Sequence, residues 1–201
     1  MPKAWLRARQ RDYYYRRAKE ERLRSRAAYK LLEVANRYGF IKPRDVVVDL
    51  GAAPGGWMQA ALNVVGESGF VLGVDVKEVE PFEVENAKSI VGDVTDPAIV
   101  DAIQGLLPRA ADVVVSDVSP NISGVWEVDH ARQMDLAHRS LLIANSLLKI
   151  GGNFLVKVFQ GDLLDGFMFE MRQCFQYVRF IKPSASRKRS SELFVLGMGK
   201  L

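Results

Sequence analysis

Sulfur and imidazole are scarce in this sequence. A single cysteine, Cys174, stands among 201 residues, so neither an intrachain disulfide framework nor a four-thiolate zinc site can form. The two histidines, His130 and His138, fall on one predicted helix with no glutamate at metalloprotease spacing, and no metal site is expected. Long apolar runs are also missing: none approaches the roughly 20 residues of a membrane span. Residues 1–23 carry arginines and tyrosines where a signal peptide needs an apolar stretch. These absences predict a cytoplasmic protein with no membrane partner. Hydrophobic residues at 48% and charged residues at 26% are ordinary globular values and exclude a chain disordered throughout. The length suits one α/β domain, expected as a monomer.

Positive charge gathers at one end. Residues 1–30 hold eleven Lys or Arg against three acidic residues, a net of +8, which leaves −4 on the remaining 171 residues for a whole-chain charge of +4. Arg7, Arg9, Arg11, Arg16, Arg17, Arg22, Arg24 and Arg26 are interspersed with Trp5, Tyr13, Tyr14 and Tyr15, a mixture suited to phosphate contacts and base stacking. Arg187, Lys188 and Arg189 form a second cluster. These residues are the expected RNA contacts, with 1–24 read as a basic arm and 25–201 as a single domain.

From Asp45 onward, short β-branched runs alternate with amphipathic segments. Strands are predicted over 46–50, 70–76, 89–94, 112–118, 153–159, 177–182 and 192–198, and helices over 56–65, 97–107, 128–150 and 163–175, with a further helix around Lys30. In the third of these helices Ala137, Leu141, Ala144 and Leu148 form a core-facing stripe. Such alternation predicts a doubly wound, mostly parallel sheet, whose ligands sit beyond the carboxyl ends of the strands.

The first strand-to-helix turn is the most informative stretch. Val46-Val-Val-Asp-Leu-Gly-Ala-Ala-Pro-Gly-Gly-Trp57 puts Gly51, Gly55 and Gly56 between strand and helix, where a ligand can approach the backbone and helix N–H groups. The spacing is not the dinucleotide fingerprint G-x-G-x-x-G. Asp75, at the end of the second strand, suits the two ribose hydroxyls of a nucleoside, and Asp93, after the third, suits an adenine amino group. The pocket therefore predicts an adenosyl methyl donor rather than NAD.

Four charged residues remain. Asp117 ends the fourth strand beside this turn. Lys157 interrupts the apolar Phe154-Leu-Val-Lys-Val-Phe159, where a charge is costly unless paired or placed at a cleft. Glu192 begins the last strand, and if that strand runs antiparallel it lies level with Lys157. Lys30 sits on the helix whose Leu31, Val34 and Ala35 can pack on the domain.

The set Arg26-Ala-Ala-Tyr-Lys30, Asp49-Leu-Gly-Ala-Ala-Pro-Gly-Gly-Trp57, Ser116-Asp-Val-Ser-Pro-Asn121, Leu155-Val-Lys-Val-Phe159 and Arg189-Ser-Ser-Glu192 closely resembles the FtsJ/RrmJ family of ribose 2′-O-methyltransferases, from about Ser25 to the C-terminus. The resemblance implies a Rossmann-like seven-stranded S-adenosylmethionine fold with an antiparallel last strand, and a catalytic tetrad of Lys30, Asp117, Lys157 and Glu192. It also implies cofactor contacts at Gly55, Trp57, Asp75, Asp93 and Asp117. A ribose hydroxyl needs a base to become nucleophilic, and Lys157 is the expected one.

Other methyl acceptors fit less well. Carbon-5 methylation of a pyrimidine normally needs a cysteine nucleophile, and Cys174 lies in a helical segment away from any strand end. The Asn/Asp-Pro-Pro-aromatic motif of amino methyltransferases is replaced by Ser-Asp-Val-Ser-Pro-Asn. The expected substrate is a uridine in large-subunit ribosomal RNA, free or in the assembled subunit. A tRNA anticodon loop, a non-catalytic RNA-binding module and a small-molecule O-methyltransferase are the alternatives.

Overall fold

The structure is a computed structural model and describes residues 13–186 and 190–201. Seven strands form one sheet: β1 (Val46–Leu50), β2 (Phe70–Asp75), β3 (Ala87–Val91), β4 (Ala111–Ser116), β5 (Leu148–Phe159), β6 (Phe175–Ile181) and β7 (Glu192–Lys200). Their order is β3-β2-β1-β4-β5-β7-β6. Pairing is parallel from β3 through β5, and β7 runs antiparallel to both β5 and β6. Strand order reverses between β1 and β4, where open α/β sheets leave a crevice at their carboxyl ends.

Helices α1 (Tyr13–Glu20), α2 (Ala28–Tyr38), α3 (Gly56–Val65), α4 (Ile99–Gln104), α5 (Trp126–Leu147) and α6 (Leu164–Cys174) cover the sheet. Strand alternation divides the core. Val46, Val48 and Leu50 face the layer of α4, α5 and α6, whereas Val47 faces that of α2 and α3. Both faces being covered explains the continuous burial of β1 and β4. Each large side chain removed from water, such as Phe154 or Leu31, contributes about 1.5–3 kcal/mol.

Some boundaries differ from the sequence reading. β5 begins at Leu148 rather than 153, because a register irregularity between Ala111 and Val113 lets Leu148 pair with Ala111. β3 spans Ala87–Val91 rather than 89–94, ending where Gly92 donates to the Asp75 carbonyl. Residues 13–24, assigned by composition to a basic arm, are folded onto the domain in the structure. Ala18 of α1 is buried with Tyr29 and Ala185, and Tyr14 and Leu23 pack against them. Among the described residues no helix is long and apolar enough to cross a membrane.

Candidate active site

The carboxyl ends of β1, β2 and β4 open onto a cleft of about 440 Å³ whose lining includes Gly51, Asp75, Asp93, Asp117 and Asn121. Gly51 has φ of 82°, and a Cβ there would come within 2.9 Å of the Val118 amide, so only glycine lets the turn after β1 lie against the loop after β4. Asp75 is fixed by the Ala53 and Lys77 amides, each donating to one carboxylate oxygen at 2.9 Å. Asp93 accepts from the Thr95 amide at 2.8 Å. That bond, with a second from the Thr95 side chain, holds the Asp93 carboxyl below its ordinary range. The cleft thus presents carboxylate oxygens, acceptors suited to hydroxyl and amino donors.

Gly55, Gly56 and Trp57 begin α3, the helix after the turn. A Cβ on Gly55 would strike the Arg24 side chain, and one on Gly56 would strike Ser25, so the segment before α2 closes over this helix start. The Trp57 ring is 3% exposed, packs against Phe194 and donates through Nε1 to the Ala27 carbonyl at 2.8 Å. At these three positions the chain itself approaches the helix start.

The four charged residues form two ion pairs. Lys157 is 4% exposed, and its Nζ lies 2.8 Å from the Asp117 carbonyl oxygen and 3.0 Å from the Asp117 carboxylate. Lys30 Nζ meets Glu192 Oε1 at 2.5 Å and lies 5.5 Å from the centre of the Phe194 ring. Glu192 also accepts from Ser186 Oγ at 3.1 Å. Level placement of Glu192 with Lys157 is corrected by two residues: Glu192 pairs with Phe159, while Lys157 pairs with Phe194. Side-chain alternation still puts Lys157, Phe159, Glu192 and Phe194 on one face, with Glu192 one strand repeat along from Lys157. Lys30 and Glu192 line a second cleft of about 270 Å³ with Arg26 and Ser190.

Sequence reasoning missed Gln133. This residue of α5, 1% exposed, donates through Nε2 to the carbonyls of Val118 at 3.2 Å and Lys157 at 3.0 Å, tying the ends of β4 and β5 together. Ser186 and Asp49, both buried beside the tetrad's elements, were missed as well.

The expected RNA contacts divide. Arg16 and Arg22 are exposed. Arg17 pairs with Glu21 at 2.6 Å and faces the Tyr29 ring. Arg24 lies 3.5 Å over the Phe82 ring and donates to the carbonyls of Glu80 and Pro81. Arg26 donates to the Ala185 carbonyl. Arg24 and Arg26 are thus engaged in fastening the chain to itself. Arg7, Arg9, Arg11, Arg187, Lys188 and Arg189 lie outside the described residues.

The model of the FtsJ-like methyltransferase family matches residues 23–200. A Methanococcus maripaludis protein named ribosomal RNA large subunit methyltransferase E is 48% identical over 195 residues, covering 97% of this chain and 76% of its own. A protein of the same name from Methanothermobacter thermautotrophicus is 48% identical over 197 residues, covering 98% and 93%. Among solved structures, a ribosomal RNA methyltransferase from Plasmodium falciparum superposes with a TM-score of 0.78 at 26% identity, covering 89% of this chain and 98% of the other.

Proposed function

The chain belongs to the FtsJ-like methyltransferase family, and from that premise we propose that it methylates the ribose 2′-oxygen of a uridine in large-subunit ribosomal RNA, using S-adenosylmethionine. The observation that carries the reading is a buried lysine paired with an aspartate that lines a cleft. Asp117 lines the nucleoside-sized cleft and holds Lys157, while Lys30 and Glu192 line the neighbouring one. The names of the relatives support the RNA class.

S-adenosylmethionine supplies an electrophilic methyl group on a sulfonium. Asp75 would hold the ribose hydroxyls of this cofactor and Asp93 its adenine amino group, with Gly51 keeping the turn clear. The second cleft receives the target ribose. Lys157 Nζ donates to the Asp117 carbonyl oxygen and stands 3.0 Å from the Asp117 carboxylate, so Asp117 holds the amine that would meet the incoming 2′-hydroxyl. Lys157 is placed to take the proton of the 2′-hydroxyl, which would leave that oxygen nucleophilic toward the methyl group that S-adenosylmethionine would supply. Asp117 aims the amine, and the Lys30–Glu192 pair lines the cleft that receives the oxygen to be methylated.

Purified protein with labelled methyl donor, offered total ribosomal RNA, ribosomal subunits and tRNA separately, should yield 2′-O-methyluridine from large-subunit RNA after nucleoside digestion. Label in tRNA alone would move the substrate to an anticodon loop, and label in no RNA would remove the reading. Lys157→Ala should lower kcat by about 10²- to 10⁴-fold, the usual worth of a positioned base, with little change in cofactor affinity. Unchanged turnover would overturn the role of Lys157.

A further inference from the structure

The loop leaving Asp117 ends in a large aromatic side chain turned outward. Trp126, the first residue of α5, is 44% exposed, and Val125 and Ile122 before it are 53% and 63% exposed. Scattered exposed apolar side chains need no explanation, but a contiguous group beside a polar site marks a contact surface. The group is held in place. Asp129 accepts from the Ser123 amide at 2.7 Å and the Gly124 amide at 3.0 Å, and the Val125 amide donates to Ser123 Oγ at 3.2 Å.

The indole lies nearly parallel to two other rings, 15° from His130 at 5.6 Å and 21° from Phe159 at 6.0 Å. Phe159 connects this stack to the chemistry. It follows Lys157 by two residues on the same face of β5, a separation of about 6.6 Å along the strand, and it pairs across the sheet with Glu192. The inner ring of this stack, Phe159, therefore stands one strand repeat from the proposed base, and the centre of the exposed Trp126 ring is 6.0 Å from that of Phe159.

We propose that Trp126, backed by Phe159, is a stacking platform for an unpaired nucleobase of the substrate strand, beside the ribose that is methylated. The inference rests on the reading of the chain as an RNA ribose methyltransferase and adds how the nucleotide is presented. A 2′-hydroxyl reaches a recessed base only if its nucleotide is splayed from its neighbours, which leaves base faces without their stacking partners. Aromatic side chains are the usual replacement, and stacking on them tolerates any base. Phosphate contacts by the arginines cannot fill that role, because they position the backbone and leave the base free.

The test compares a single-stranded oligouridylate with an abasic ribose-phosphate oligomer of equal length and charge. Wild type, Trp126→Ala and Trp126→Phe are titrated with each, and the same proteins are assayed for KM and kcat on ribosomal RNA. Trp126→Ala should weaken oligouridylate binding roughly 5- to 150-fold, the range for loss of one aromatic–base stack. Abasic binding should be unchanged, and Trp126→Phe should keep most of the affinity. KM for RNA should rise more than kcat falls. Indole fluorescence should be quenched by oligouridylate in a Trp5→Phe background and lose that component when Trp126→Phe is added, because the third tryptophan, Trp57, is buried. Equal losses on both oligomers, or no loss on either, would overturn the platform while leaving the methyltransferase standing. Loss of activity confined to assembled ribosomal subunits would show that Trp126 docks a protein instead, and would also overturn it. If wild type methylates no RNA, the functional reading falls and the platform with it.

Discussion

Asp49 shows how one side chain stores free energy against the fold. It sits fourth in a strand buried along its whole length, is 0% exposed, and neither carboxylate oxygen makes a full hydrogen bond among the described residues. Burial raises its pKa well above 3.8, the nearby carboxylates of Asp117 and Asp75 raise it further, and the Met58 amide offsets only part of this. Below pH 3.8 the group is neutral in both folded and unfolded chains. Above it the unfolded chain releases the proton while the folded chain keeps it, so the native state binds more protons and stability falls as pH rises, until the folded group ionises too. Asp49→Asn removes that slope. Thermal melts of the unliganded protein should give the variant and wild type similar Tm near pH 3.8, with the variant gaining as pH rises to neutrality. A variant less stable than wild type at neutral pH would contradict this assignment.

At the scale of elements, the site depends on the relative height of β4 and β5, which Gln133 sets from α5. Gln133→Ala leaves the Val118 and Lys157 carbonyls without this donor, at a cost of roughly 1–3 kcal/mol in stability. The Asp117–Lys157 pair loses its alignment, and misplacement by about 1 Å can cost 10²-fold in rate. The expected result is kcat lowered at least tenfold with KM for the methyl donor little changed; proportional loss in both would reduce Gln133 to a structural role. Gln133 was within reach of sequence reasoning, since it lies one turn before Ala137 on the stripe that continues to Leu141 and Ala144. Reading the stripe from its apolar members alone hid it. The strands and the long helix were legible because their apolar periods are strong, and Asp117 and Lys157 because charge in or after a buried strand needs a reason. The Lys30–Glu192 pair spans 162 positions, so no local pattern announces it; the family resemblance named its members, and the antiparallel register of β7 brings them together. The aromatic stack at Trp126 was illegible because Phe159 arrives from another element.

Across the whole molecule, the uneven charge visible in the sequence is only partly available to a polyanion. Net +8 over residues 1–30 treats every arginine alike, yet Arg24 is stacked on Phe82 and bonded to two carbonyls, and Arg17 is paired with Glu21. Arg16 and Arg22 are exposed. Cations that contact phosphates release counterions, so each contributes about 0.7 to 0.9 to the slope of log affinity against log salt. Cations already engaged within the protein contribute to stability instead. Filter binding of ribosomal RNA should therefore show a steep salt response, roughly a 10³-fold loss between about 50 and 200 mM if about six phosphates are contacted. Arg16→Ala and Arg22→Ala should each flatten that slope by about one contact with Tm unchanged. Arg24→Ala should leave the slope as it is and lower Tm, because it releases the segment that covers the start of α3 from the loop after β2. If Arg24→Ala flattened the slope as much as Arg22→Ala, the clamp on Phe82 would have to open in the complex, and the arm would bind RNA by exchanging an internal partner for a phosphate.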